Sequence, residues 1–185
     1  EVFSSVEENN GVYTPKYSVG NLKGAVFEVY AAEDITTLDG TVRYEQGTLV
    51  DTVTTDGDGV AKSKELYLGK YTVIEKTAPN GYVHNGTKYD VELTYAGQNV
   101  SVTSTDLSVY NERQKVSVSL KKIMAEDKTF SIGNNGEITS VRFGIYADED
   151  IKASNGDIIP KDALITFANC DKNGTTQVTR NNNAI

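Results

Sequence analysis

Tyr71-Thr-Val-Ile-Glu75-Lys-Thr-Ala-Pro79-Asn-Gly81-Tyr82 places a carboxylate where a strand wants an apolar side chain. Residues two apart on an extended strand share a face, so Tyr71, Val73 and Glu75 point one way while Thr72 and Ile74 point the other. Glu75 is therefore predicted to enter a core, where a carboxylate is costly unless it is protonated or hydrogen-bonded. The run Leu107-Ser-Val-Tyr-Asn111 does the same with an amide, because Asn111 is in phase with Leu107 and Val109. Two polar groups thus look inward.

The surrounding sequence is that of an all-β protein. Its 185 residues include only 3 Pro, no Trp and 11 Tyr, and runs rich in Val, Thr and Tyr are separated by Gly, Asn and Asp. Lys88-Tyr-Asp-Val-Glu-Leu-Thr-Tyr95 alternates, with Tyr89, Val91, Leu93 and Tyr95 predicted on the core face; Ala25, Phe27 and Val29 form another inward face. A net charge of −8 and a pI near 4.7 argue against nucleic acid, whose phosphates demand a basic face. The single cysteine, Cys170, cannot form an internal disulfide, and with the only histidine far off at His84 it reads as a bystander. No apolar run is long enough to cross a membrane, and no metal or cofactor motif is present. Asp56-Gly-Asp-Gly59 lacks the full spacing and terminal glutamate of an EF-hand and reads as a tight turn.

In order along the chain, Phe27-Glu-Val-Tyr, Leu68-Gly-Lys-Tyr71, Glu75 with Pro79-Asn-Gly-Tyr82, and Tyr110-Asn111 resemble the B-type repeat of Gram-positive collagen adhesins and SpaA-like backbone pilins. That family folds as a prealbumin-like, Ig-like β-sandwich and joins a lysine to an asparagine by a spontaneous intramolecular isopeptide bond. The segment from Leu68 to Tyr82 is the specific part of the likeness. The resemblance implies that Glu75 is the proton shuttle and Asn111 the electrophile. An amine attacks a carboxamide only when neutral, and desolvation favours both a neutral amine and a protonated acid. Such an acid can polarise the amide carbonyl and move protons as ammonia leaves. For the amine two sources stand open. Lys16 shares a strand face with Val12 and Thr14, but Pro15 beside it fits an edge strand better than a sheet interior. The other source is a first strand upstream of Glu1, with the segment from Glu1 to Tyr17 then an insertion.

A repeat organises the chain. Phe27-Glu-Val-Tyr-Ala-Ala-Glu-Asp-Ile35 recurs as Phe143-Gly-Ile-Tyr-Ala-Asp-Glu-Asp-Ile151, and with one residue lost from the offset Asp56-Gly-Asp-Gly59 matches Asp171-Lys-Asn-Gly174. Repeats of this length are whole domains, so tandem β-sandwich domains are predicted over 1–113 and 114–185, joined without a flexible linker. In Val116-Ser-Val-Ser-Leu-Lys-Lys122 the apolar face of Val116, Val118 and Leu120 ends on Lys122, the second domain's isopeptide candidate, with no partner identified. The second domain reads as incomplete, since no acid box comes after Gly174; either the sequence stops inside the domain, or residues are missing between Thr176 and Ile185, the reading favoured here. Lys161 and the Asn-x-Ser/Thr triplets at Asn85, Asn99 and Asn173 read as surface or turn residues.

The resemblance implies a structural or adhesive module, extracellular and carried on a cell-wall-anchored surface protein, with the anchor and signal peptide outside this sequence. The chain would not be a turnover enzyme, since the bond-forming constellation acts once and is consumed. Its partners would be the rest of the parent protein, with neither nucleic acid nor direct membrane insertion. The alternative is a module that binds a host matrix protein or immunoglobulin through a sheet edge or loops, favoured slightly by Phe3, Tyr13 and Tyr17 in the first segment.

Overall fold

The computed structural model describes residues 1–100, 103–131, 133, 135–153 and 155–181. In chain order the strands are β1 (Val2–Asn9), β2 (Val12–Ser18), β3 (Val26–Ala31), β4 (Ile35–Thr36), β5 (Val42–Tyr44), β6 (Leu49–Thr54), β7 (Gly69–Thr77), β8 (Lys88–Leu93), β9 (Lys115–Lys121), β10 (Arg142–Tyr146), β11 (Ile151–Lys152), β12 (Ile158–Ile159), β13 (Leu164–Asn169) and β14 (Thr175–Asn181). A single 3-10 turn at Glu137–Ser140 is the helix among the described residues, so the fold is all-β. The strands fall into two compact units, Gly20–Glu112 and a second assembled from Glu1–Val19 with Arg113–Ile185.

In the Gly20–Glu112 unit an antiparallel sheet runs in the order β6-β3-β7-β8. Strand β7 lies inside it because Tyr71, Val73 and Glu75 supply the inward face that the alternation demands, opposite Ala31, Val29 and Phe27 of β3. The core gathers Val29, Ala31, Ile35, Val50 and Tyr71, with Tyr44 and Leu66 packed against it. Tyr71 is fully buried, and its hydroxyl donates to the Tyr67 carbonyl at 2.7 Å. Burial, helped by the nearby Tyr44, pushes the Tyr71 phenol up to about 12. Gly69, which opens β7, leaves room for Ile35: a Cβ there would stand 2.6 Å from the Ile35 Cδ1 atom. Strand β8 keeps Tyr89, Val91 and Leu93 half-buried as predicted, but it ends at Leu93, and Tyr95 is 70% exposed rather than in the core. The opposite face of the sheet is polar. There Tyr30 donates to Glu28 at 2.7 Å and Lys76 pairs with the same carboxylate.

The second unit departs from the predicted division at residue 113. Asn10-Gly11, a dipeptide suited to a two-residue hairpin turn, joins β1 to β2, and β2 lies parallel to β13 in a sheet of order β1-β2-β13-β10. The Val6 amide donates to Asp157 at 2.9 Å, and the Arg113 guanidinium lies over the Tyr17 ring at 5.2 Å. Glu1–Val19 therefore clusters with the later unit, whereas the sequence predicts it in a 1–113 domain or as an insertion. The physical reason is the open edge of β13, which β2 covers with backbone hydrogen bonds that side-chain alternation does not announce.

The repeat read from sequence is a repeat of turns as well as strands. Asp56 Oδ1 accepts the Asp58 and Val60 amides while its own amide donates to the Val60 carbonyl. Asp171 Oδ1 accepts the Asn173 and Thr175 amides, and its amide donates to the Thr175 carbonyl. Both aspartates are thus spent on closing a turn. Asp34 and Asp150 match in the same way, capping the amides of Gln46 and Lys161. Beyond the second turn the chain continues directly as β14, antiparallel to β9 over Thr175 to Asn181. The residues at 182–185 lie outside those described. Strand β9 differs from expectation in one respect: Val116 and Val118, predicted to face a core, are 49% and 52% exposed, since β14 is the sole strand paired with β9 among the described residues.

Candidate functional site

Glu75 sits two residues before the end of β7, opposite Phe27, and is only 1% exposed. The turn beyond β7 supplies the donors that a buried carboxylate needs. Pro79-Asn-Gly-Tyr82 is tight, and the Tyr82 amide donates to the Pro79 carbonyl at 3.1 Å. Gly81, at φ 84°, occupies the position that requires left-handed backbone. The turn sends the chain back so that Val83, His84 and Asn85 pass the end of β7. There the Asn85 amide donates to Glu75 Oε2 at 2.5 Å, and the His84 ring Nε2 meets the Glu75 carbonyl at 2.7 Å.

Asn111 completes the group. Its Nδ2 donates to both carboxylate oxygens of Glu75, at 2.8 Å and 3.0 Å, and to the Val83 carbonyl at 3.1 Å. The Val83 amide in turn donates to the Glu112 carbonyl at 2.8 Å. Asn85 ties the same region together through its side chain, donating to the Tyr89 hydroxyl at 2.9 Å and to the Tyr110 carbonyl at 3.2 Å. The inward-looking acid and amide of the sequence are brought into direct contact.

Asn85 and His84 carry no advance signal. Asn85 stands in an Asn-x-Thr triplet that reads as a turn residue, and its contact with Glu75 is made by backbone, which every non-proline residue possesses. Leu107 and Val109 bracket the run toward Asn111 as expected in part: Val109 is half-buried, but Leu107 is 40% exposed and no ladder forms over this run.

The lysines are placed differently from expectation. Lys16 lies on β2 in the other unit, where its amine pairs with Glu7 at 3.0 Å and its side chain is 45% exposed. An exposed amine paired with Glu7 lacks the desolvation that attack on an amide requires. Lys122 is exposed just beyond β9, its amide donating to the Gly174 carbonyl at 2.8 Å. Cys170 is buried at 5% exposure, and Lys161 is a surface residue.

A buried carboxyl bonded to a carboxamide nitrogen can serve one kind of chemistry well. When an amine adds to Cγ of Asn111, Nδ2 becomes basic and must leave as ammonia. Glu75 already touches that nitrogen with both oxygens, so a proton taken from the incoming amine has a short path to the departing one.

An all-β unit built on an antiparallel four-stranded sheet is in keeping with a prealbumin-like β-domain. Residues 14–108, just over half of the chain, match the family described as SpaA, prealbumin-like fold domain, and the chain belongs to that family. Over 155 residues it is 27% identical to the trypsin-resistant surface T6 protein of Streptococcus pyogenes serotype M6, covering 84% of this chain and 24% of that protein. The Bacillus anthracis TIE protein aligns at 22% identity and a TM-score of 0.50, over 85% of this chain and 23% of its own, a likeness of fold. BcpA, the major pilin subunit of Bacillus cereus, aligns at 14% identity and a TM-score of 0.35, over 88% of this chain and 50% of its own. The chain spans about a quarter of the length of the curated relative it matches.

Proposed function

We propose that this chain is a structural module of a Gram-positive surface protein, a β-stalk segment whose Glu75–Asn111 pair is a site for isopeptide bond formation. The carrying observation is the contact of the Asn111 amide nitrogen with both oxygens of a carboxylate that is 1% exposed. The bond would form once: a neutral lysine amine adds to Cγ of Asn111, Glu75 relays a proton to Nδ2, and ammonia leaves. A surface location is supported by membership in a family whose relative here is a streptococcal surface protein. Covalent closure suits a module that must bear load or resist proteases, because a cross-link restricts the unfolded chain. The host-binding alternative loses its particular support, since Phe3, Tyr13 and Tyr17 belong to a hairpin built into a sheet, with the Phe3 and Tyr17 rings 6.2 Å apart.

The test is intact mass and peptide mapping of the protein as produced by its parent cell. A cross-linked peptide containing Asn111 with one ammonia lost, absent from Glu75→Ala, is the expected result. An Asn111 recovered as a free carboxamide in all material would refute the bond-forming reading.

A further inference from the structure

Asparagine is followed by glycine at Asn10, Asn80, Asn85, Asn135, Asn155 and Asn173. In such a pair the glycine nitrogen can attack the asparagine Cγ and close a five-membered ring, because glycine has no Cβ to crowd the approach. The reaction needs that N–H free. Gly11 spends it on Glu8 at 2.6 Å, Gly156 on the Ala153 carbonyl at 3.1 Å and Gly174 on the Asp171 carbonyl at 3.0 Å. The amides of Gly81, Gly86 and Gly136 have no acceptor among the described residues.

Asn85 differs from Asn80 and Asn135 in what surrounds its side-chain amide. Its Oδ1 accepts the Thr87 amide at 3.0 Å, a bond to the residue two ahead that folds the side chain across Gly86. The same bond polarises the carbonyl whose oxygen takes on negative charge during attack. On the other side Nδ2 lies 2.9 Å from the Tyr89 hydroxyl, a group that can turn from accepting a hydrogen bond to donating one. The Nδ2 of Asn135 meets the Ser131 carbonyl instead, which has no proton to give. Asn80 has no side-chain hydrogen bond among the described residues.

We infer that Asn85-Gly86 is a site of spontaneous self-modification, a succinimide-forming pair in which the Thr87 amide steadies the oxyanion and Tyr89 supplies the proton to the leaving group. Water takes the proton from the Gly86 nitrogen, whose lone pair attacks Cγ. The Tyr89 hydroxyl protonates Nδ2, the Cγ–Nδ2 bond breaks and ammonia leaves, and the phenolate regains its proton from water. A further water then opens the ring. Cleavage of the Cγ–N bond leaves aspartate in an ordinary backbone, and cleavage of the bond from the Asn85 carbonyl carbon to nitrogen leaves a backbone routed through the former side chain. Ammonia and water balance the step without oxidant, metal or nucleotide. Either product carries a carboxylate where the amide stood, so the donation to the Tyr110 carbonyl, next to Asn111, is lost. The change is one-way and loosens the chain beside the acid–amide pair, whether or not Asn111 forms a bond.

The experiment ages the purified full chain in mildly alkaline buffer and follows it by peptide mapping. Asn80 and Asn85 fall on one tryptic peptide, between Lys76 and Lys88, so fragmentation assigns the site. The expected result is loss of ammonia and then gain of water at Asn85, ahead of Asn80 and Asn135, with an isoaspartyl form separable from the aspartyl one. Tyr89→Phe, shown folded by circular dichroism, should slow conversion at Asn85 by roughly 10-fold or more and leave Asn80 and Asn135 unchanged. Gly86→Ala, whose Cβ would stand 4.0 Å from the His84 ring, should slow Asn85 alone. Asn85 intact while Asn80 or Asn135 converts overturns the inference, and so does conversion at Asn85 that Tyr89→Phe leaves at the same rate. The succinimide has the mass change of an isopeptide bond at Asn111, so the assigned site separates the two: Asn111→Ala abolishes the bond and should leave conversion at Asn85 in place.

Discussion

A double-mutant cycle on Glu75 and Asn111 measures the contact at the centre of this fold. Glu75→Ala removes the acceptor for two donor groups, the Asn111 amide and the Asn85 backbone N–H. Leaving a buried donor unsatisfied costs about 1–3 kcal/mol each, and the truncated side chain leaves a void besides. Against this stands the relief of an expensive buried carboxylate. The net loss is expected at about 2–4 kcal/mol. Asn111→Ala removes one donor but leaves the Asn85 N–H on the carboxylate, so about 1.5–3 kcal/mol is expected, the range for hydrogen bonds to charged groups. Since the pairwise bond is absent from either single variant, the double variant should be less destabilised than the sum by about 1.5–3 kcal/mol. Urea denaturation followed by circular dichroism gives the global numbers, and native-state hydrogen exchange of the β7 amides reads the Gly20–Glu112 unit by itself. Additivity within about 0.5 kcal/mol would refute the contact.

Other expectations rest on separate parts of the structure. Tyr71→Phe removes one hydrogen bond and should cost about 1 kcal/mol, whereas Tyr71→Ala opens a cavity and should cost about 3–5 kcal/mol by thermal or urea unfolding. The phenol of Tyr71 is raised to about 12 in the fold from 10.0, so its contribution is complete below pH 10 and is lost as pH climbs toward 12. Tyr71→Phe should flatten that alkaline loss in a pH series, and an unchanged curve would refute it. On the polar face, hydrogen bonds from Lys76 and then Tyr30 hold the Glu28 carboxyl below the ordinary glutamate range. Its stabilisation is present at neutral pH and disappears as pH falls through the lowered value; Lys76→Met should move the Glu28 midpoint upward in a carboxyl NMR titration. Asp56→Ala and Asp171→Ala remove matched turn closures and should each cost about 1 kcal/mol, and a large disparity between them would argue against equivalent turns.

The sequence by itself determined the all-β class, the inward face of β7, the inward placing of Glu75 and Asn111, and the matched turns at Asp56 and Asp171. Each is a local matter: alternation of period two says which side of a strand a residue occupies, and an aspartate two residues ahead of a turn amide needs no distant partner to be recognised. Tertiary structure alone decided which edges are covered. The β1–β2 hairpin joins β13, and among the described residues β14 alone pairs with β9, because strand pairing is made by backbone groups that all residues share and that leave little trace in side-chain type. The same reason hides Asn85, whose bond to Glu75 is a backbone one. It also hides the surroundings of Lys16. A lysine in phase with an apolar face looks alike in sequence whether its strand is interior or outer, and only the completed sheet shows its amine paired with Glu7 at the surface.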